Sequence, residues 1–129
     1  MTKGKIGSGI GICIFQKQKT EMISEIRTYK LRKDTNKTFE KIFFEQSLPM
    51  LKRWKVNVVD FGFSLIDQDS FYLIRSYKNL EQRKQSQDEF YGSDEWIKGP
   101  NEPLMNCIEI YNTTVVDDTK LTIRKNKTA

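Results

Sequence analysis

The sequence predicts an α+β fold of the ferredoxin-like type, in which two helices cover one face of a four-stranded antiparallel sheet. Segments rich in β-branched and aromatic residues alternate with amphipathic segments in the order β-α-β-β-α-β. The 129 residues, of which 37% are hydrophobic and 12% aromatic, suffice for one domain with a core. We place this domain at residues 23–116.

The first half of the domain begins with a strand at residues 23–31, which are rich in β-formers. Asp34 or Thr35 can cap the helix that follows. That helix carries apolar residues at helical spacing, namely Phe39, Ile42 and Phe43. Pro49 predicts a kink or break in it, because proline disfavours the α conformation of the residue before it. Residues 56–65 predict the second strand.

The second half follows a hairpin loop and begins with a strand at residues 71–77. Asn79 can cap a helix that extends to about residue 91, and Ser93 can cap a short extra turn. Residues 105–116 predict the fourth strand. One face of the resulting sheet carries the helices, and we expect the other face to be uncovered.

The basic residues lie mainly at the two ends of the chain. The net charge is +5 overall, but it is +3 in residues 1–21, +4 in residues 119–129 and −2 in residues 22–118. A nucleic-acid-binding domain needs basic residues massed on a folded face. We therefore expect no nucleic-acid partner.

Residues 1–22 predict a disordered extension, and residues 117–129 predict a basic tail. The closely spaced glycines near the start do not form a phosphate-binding loop, because no strand of useful length precedes them and no helical pattern follows. A weak export signal and an extra edge strand are the alternatives for this segment. Met22 could be the true start. With no long apolar run, we expect no membrane span and a cytoplasmic location.

The sequence contains no histidine and two distant cysteines, Cys13 and Cys107. A Ser-His-Asp triad and histidine-ligated metal or haem sites are excluded. Two such cysteines also make neither a zinc site nor a disulfide framework. We therefore predict no metal site and no cofactor.

Alternation along the strands predicts a mixed polar and aromatic sheet face. Its expected members include Glu25, Arg27, Tyr29, Arg75, Tyr77, Glu109 and Tyr111. We assign the more apolar alternate set to the helices and the mixed set to the uncovered face. A second copy would then bury this face and form a homodimer around an enclosed cavity. The candidate ligand-binding residues are Arg27, Tyr29, Arg75, Tyr77, Glu109, Tyr111 and, near the cavity mouth, Arg83.

These charges have an alternative, purely structural interpretation. Arg27 or Arg75 would pair with Glu25 or Glu109 and simply close the dimer interface, because buried charges are usually paired. The sequence identifies no catalytic residue.

Four segments, in register over residues 23–114, resemble the NIPSNAP family. Glu25-Ile26-Arg27-Thr28-Tyr29 is similar to its opening strand, and Leu48-Pro49 resembles its helix break. The segment at residues 77–83 and Asp94-Glu95-Trp96 resemble its strand-to-helix junction and a later turn. The resemblance implies a dimeric α+β barrel with two sheets face to face, similar in fold to cofactor-independent monooxygenases. Gln46 and Trp54 stand where family members often carry histidines, so an activity that uses those imidazoles is not expected.

Three functions follow as hypotheses. The first is a dimeric module that binds a small organic molecule. The second is a cofactor-independent monooxygenase or isomerase that uses the same cavity, with Glu25, Glu109 or a tyrosine of suitable pKa as the base. The third is a structural module that only dimerises. A cavity favours the first two, and a filled interface favours the third.

Overall fold

The computed structural model describes residues 22–118. Its elements, in chain order, are β1 (Ile23–Leu31), α1 (Asn36–Ile42), a π-helical turn (Phe43–Ser47), α2 (Leu48–Arg53), β2 (Asn57–Phe63), β3 (Ser70–Tyr77), α3 (Leu80–Tyr91), α4 (Asp94–Lys98), α5 (Asn101–Cys107) and β4 (Ile108–Asp117). Nearly all of the predicted extension and nearly all of the predicted tail lie outside the described residues. None of the helices within residues 22–118 is long and apolar enough to span a membrane.

The four strands form one antiparallel sheet in the order β2-β3-β1-β4, which confirms the predicted α+β, ferredoxin-like class. β1 lies in the centre, between β3 and β4. Its register places Glu25 opposite Arg75 of β3, and Arg27 opposite Thr113 of β4. Residues from three strands therefore meet on each face of β1.

Two of the predicted helix caps are confirmed. The side chain of Asn79 accepts a hydrogen bond from the backbone N–H of Gln82, and Ser93 accepts one from Trp96. Thr35 precedes α1, but its hydroxyl donates to the carbonyl of Arg32 and does not cap the helix.

The chain stays helical through Pro49, and a π-helical turn stands where a kink or break was predicted. The N–H of Leu48 bonds to the carbonyl of Phe43, five residues earlier, in the π-helical turn. Pro49 then lies in the first turn of α2, where its missing N–H is tolerated. The wider turn ahead of the proline thus replaces a break in the helix.

The predicted start of the fourth strand, at residue 105, is wrong. Residues Asn101–Cys107 form α5, and the strand begins at Ile108. Leu104 and Cys107 are one helical turn apart and both are buried. A short apolar segment of this kind fits both the 3.6-residue period of a helix and the two-residue period of a strand, so the sequence alone did not distinguish the two. β2 is also shorter than predicted, since it covers Asn57–Phe63.

The predicted assignment of the two sheet faces is wrong. Leu31, Phe71 and Leu73 pack with Phe39 and Phe43 of the helical layer. Farther along the same face, Tyr77 packs in a second cluster under the helices. The mixed set therefore lies beneath the helices, because it shares a face with these large side chains.

The physical reason is volume. The large side chains at positions 31, 71, 73 and 77 are needed to fill the space under the helices, and the charges among them compensate one another. We call this the helix-side face. The opposite face, which we call the back face, carries the alternate positions, represented by Ile26, Thr28, Tyr72, Ile74 and Ile110.

Candidate functional site

The helix-side face is organised around the carboxylate of Glu25, which is 0% exposed. Arg75, which lies opposite on β3, donates from Nε to Oε1 at 2.9 Å and from Nη2 to the same oxygen. Arg83 of α3 donates from Nε to Oε2 at 2.8 Å, and Gln87, one helical turn later, donates from Nε2 to the same atom at 2.7 Å. A strand and a helix therefore converge on one carboxylate.

Two tyrosines extend this network. Arg75 Nη1 donates to the hydroxyl of Tyr91 at 2.8 Å, and Gln87 Nε2 also lies 3.1 Å from the hydroxyl of Tyr77. The guanidinium of Arg75 is 1% exposed, so these contacts satisfy groups that water does not reach.

Burial by itself would raise the pKa of Glu25. The charges of Arg75 and Arg27, together with hydrogen bonds from Gln87 and Arg75, outweigh burial and lower its pKa from 4.5 to about 2. The desolvation of Arg75 opposes its charged form, but Tyr91, Tyr77 and Glu25 raise its pKa above the usual value. The site therefore holds a permanent ion pair at neutral pH.

Arg27 is held less tightly to Glu25 than the other two arginines are. Its Nη2 lies 3.6 Å from Glu25 Oε2, beyond hydrogen-bonding distance. Its Nε donates to Thr113 Oγ1 at 3.1 Å, and its guanidinium lies 5.1 Å from the ring centre of Tyr111. β4 thus positions this side chain, which is 12% exposed.

A cavity of about 460 Å³ lies between the sheet and the helices, beside the Glu25 network. Its polar wall includes Arg27, Tyr29, Gln87, Tyr91 and Tyr111. Most of the remaining lining is apolar or aromatic: Phe39, Phe43, Leu51, Leu73, Phe90, Trp96, Leu104, Met105 and Ile108. The volume lies within the range of about 300–1,000 Å³ that is usual for small-molecule pockets.

Ser47 also lines the cavity, from the last position of the π-helical turn. It is buried, and its Oγ has no hydrogen-bond partner within the part of the chain that the structure describes. Burying an unpaired hydroxyl costs about 1–3 kcal/mol. π-helical turns are frequent at functional sites.

The structure separates the seven predicted site residues into three groups. Arg27, Tyr29 and Tyr111 line the cavity. Arg75, Arg83 and Tyr77 support the Glu25 network behind it. Glu109 is exposed near Lys30, next to the irregularity where β4 pairs with β1, and is no part of the network.

Sequence reasoning missed Ser47, Gln87 and Trp96 as members of this site. The spacing of Arg83, Gln87 and Phe90 puts them on one side of α3 and could have indicated Gln87. No sequence signal identified Ser47, because a π-helical turn has no simple residue pattern.

Glu25, beside the cavity, and Tyr29, in its wall, both have pKa values far from those that suit proton transfer near neutral pH. The pKa of Glu25 is lowered to about 2. Burial, followed by the influence of Tyr91, raises the pKa of Tyr29 to about 12. A general base works best when its pKa lies near the working pH. Within residues 22–118, no group of three or more potential metal ligands is present.

A protein-family comparison matches residues 24–114 of the chain to the NIPSNAP family model. Among curated proteins, none matches the sequence.

Solved structures share the fold at low sequence identity. A NIPSNAP family protein of unknown function from Agrobacterium tumefaciens is 19% identical, with a TM-score of 0.70 over 76% of this chain and 88% of that chain. An uncharacterised NIPSNAP-like domain protein from Burkholderia xenovorans is 16% identical, with a TM-score of 0.69 over 75% and 84%. A putative antibiotic biosynthesis monooxygenase from Nitrosomonas europaea is 12% identical, with a TM-score of 0.61 over 78% and 93%. At these identities the likeness concerns the fold.

Proposed function

The chain belongs to the NIPSNAP family, and we propose that it binds one small organic molecule in the cavity between its sheet and its helices. The observation that carries the proposal is the buried hydroxyl of Ser47, which faces this cavity without a partner in the described residues. A ligand that supplies the missing hydrogen bond would remove the cost of that unpaired group.

The composition of the wall supports the same function. Ligand pockets combine a mostly apolar lining with a few placed polar groups that fix orientation. This cavity has aromatic walls and a polar patch of Arg27, Gln87 and Tyr91, held by the Glu25 network. The sequence-based hypothesis placed the ligand between two protomers, whereas the cavity lies within one chain.

The pKa values favour binding over catalysis. The oxygenase or isomerase hypothesis needs a base, for which Glu25, Glu109 or a tyrosine was expected. The pKa of Glu25 is lowered instead of raised, Glu109 does not line the cavity, and the pKa of Tyr29 is raised to about 12. The fold likeness to a putative monooxygenase does not supply the missing group.

Fluorescence titration with phenylnaphthylamine, a neutral apolar probe, tests the proposal. We expect saturable binding at one site per chain. Met105→Trp should weaken it at least tenfold, because Met105 lines the cavity while being 44% exposed, so that a larger side chain can enter the cavity without rebuilding the core.

Leu80→Trp is the matched control. Leu80 is 62% exposed on α3 and does not line the cavity, so this variant should bind the probe as the wild type does. Absence of saturable binding, or equal binding by the Met105→Trp variant, would overturn the proposal.

A second part of the proposal concerns the back face. The chain is a homodimer through this face, as the NIPSNAP resemblance implies. Among its residues, Ile110 is 58% exposed, and Thr28 and Thr114 are exposed as well. The exposed part of the back face therefore lies on β1 and β4, whereas Ile74 of β3 is only 6% exposed. A second copy would cover this exposed part.

Sedimentation at micromolar concentration tests the dimer. We expect the wild type to sediment as a dimer and Ile110→Glu to shift it toward the monomer, because a charge would be buried in the interface. Ile97→Glu, at a similarly exposed position on α4, is the control. A monomeric wild type would contradict the proposal.

A further inference from the structure

We infer that the ligand of the cavity is a small organic acid, with an apolar body and a carboxylate that binds Arg27. This inference rests on the proposed binding function and adds the chemical class of the ligand. Its basis is a charge imbalance that the Glu25 network leaves at the cavity wall.

The network contains three cations and one anion. Arg27, Arg75 and Arg83 each lie within ion-pairing distance of Glu25, and no other carboxylate forms a described ion pair with them. The cluster therefore carries an excess of two positive charges. Because Glu25 pairs most closely with Arg75, the excess lies on Arg27 and Arg83, and water screens Arg27, which is 12% exposed, less than Arg83, which is 23% exposed.

The carboxylate of Glu25 cannot accept much more. Oε1 receives two contacts from Arg75, and Oε2 receives hydrogen bonds from Arg83 and Gln87. A carboxylate has about four lone-pair positions. Arg27 therefore stands 3.6 Å away without a hydrogen bond to Glu25, and its charge is available to a further anion.

Arg27 is the arginine of the three that lines the cavity. Thr113 and the ring of Tyr111 hold its guanidinium in place, which lowers the entropy lost when it binds a ligand. A guanidinium in a fixed position suits a carboxylate, because it can donate two parallel hydrogen bonds.

The rest of the cavity suits an apolar body attached to that carboxylate. Phe39, Phe43 and Trp96 provide aromatic surface around it. The free hydroxyl of Ser47 offers one further polar contact inside the same wall. A compact aryl or branched-chain acid meets these requirements.

Displacement of bound phenylnaphthylamine by two isosteric competitors tests the inference. We expect trans-cinnamate to displace the probe at least about tenfold better than cinnamamide, which has the same body without the charge. In Arg27→Met, this preference should fall to about one. Arg53→Met, which removes an exposed arginine and the same unit of charge, should keep it.

The outcomes are distinguishable. If the probe does not bind at all, the proposed function fails. If the probe binds but cinnamate and cinnamamide compete equally in the wild type, the function stands and the organic-acid inference fails. A preference for cinnamate that survives in Arg27→Met would also overturn it. The wild-type comparison decides the question even if the variant does not fold.

Discussion

Replacing Glu25 by glutamine removes the charge around which Arg27, Arg75 and Arg83 are arranged. The side chain keeps its size, so the change creates no cavity. The new amide group brings two N–H donors into a position where Glu25 accepts hydrogen bonds from arginine and Gln87. Buried positive charge then remains without its partner, and we expect a large loss of stability.

The pKa of Glu25 gives the magnitude. It falls from 4.5 to about 2 in the folded protein, and each unit is worth about 1.4 kcal/mol. The charged form therefore contributes about 3 kcal/mol. This agrees with the range of about 3–5 kcal/mol for breaking a buried ion pair by removing one partner.

The pH dependence has a definite sign. Because the folded pKa lies below the unfolded one, the stabilisation is fully present above about pH 4.5 and is lost as the pH falls toward 2. The free energy of unfolding of the wild type should therefore fall by about 3 kcal/mol across this window because of Glu25. In Glu25→Gln this contribution is absent, so its free energy of unfolding should fall by about 3 kcal/mol less.

Urea unfolding at pH 7 and pH 3, followed by tryptophan fluorescence, measures both effects. Since pH 3 lies inside the window, about 2 of the 3 kcal/mol should be lost there. Glu95→Gln is the control, because Glu95 pairs with Arg53 at an exposed position where such a pair contributes about 0–1 kcal/mol. A loss below about 1 kcal/mol in Glu25→Gln at pH 7, or the same pH dependence as the wild type, would refute the reasoning.

Three further predictions concern single positions. Arg27→Met should leave the free energy of unfolding unchanged or higher in urea titration, because the attraction between Arg27 and Glu25 is offset by the repulsion between Arg27 and Arg75, and Glu25 keeps Arg75 and Arg83; a loss above about 2 kcal/mol would show that Arg27 is an essential partner. Lys55→Gly should stabilise the protein by about 0.5–1 kcal/mol, since Lys55 has a φ of 62° after α2 and glycine adopts this conformation without strain; an unchanged urea midpoint would contradict this. In a Cys13→Ser background, Cys107 should resist labelling by a thiol reagent until the protein unfolds, because burial hides its thiol and raises its pKa, whereas rapid labelling of the native protein would contradict the structure.

The order of the major elements could be predicted because each one has a strong local signal. β1 and β3 are dense in β-formers, and Asn79 and Ser93 are capping residues in the right places. The π-helical turn and α5 were missed, since their patterns are short and Pro49 obscured the first of them. Local sequence patterns thus predicted the major helices and strands, but not the π-helical turn or the short helix α5.

The site was predicted in part, because alternation correctly grouped Glu25, Arg27 and Tyr29 on one face. It did not tell which face the helices cover. The more polar of the two alternate sets was assigned to the uncovered face. This was wrong because its charged residues are buried as ion pairs, which the sequence does not distinguish from exposed charges. Only the packing of Phe71 and Leu73 under the helices resolved this.

Methionine methyl resonances test the central claim, that a small molecule binds inside the chain between the sheet and the helices. Of the methionines in the described residues, Met105 lines the cavity and Met22 precedes β1. When phenylnaphthylamine is added to protein labelled with ¹³C-methyl methionine, we expect the Met105 resonance to shift and saturate while that of Met22 does not move. If the Met105 resonance stays in place, whether the probe binds elsewhere or does not bind at all, the account is contradicted.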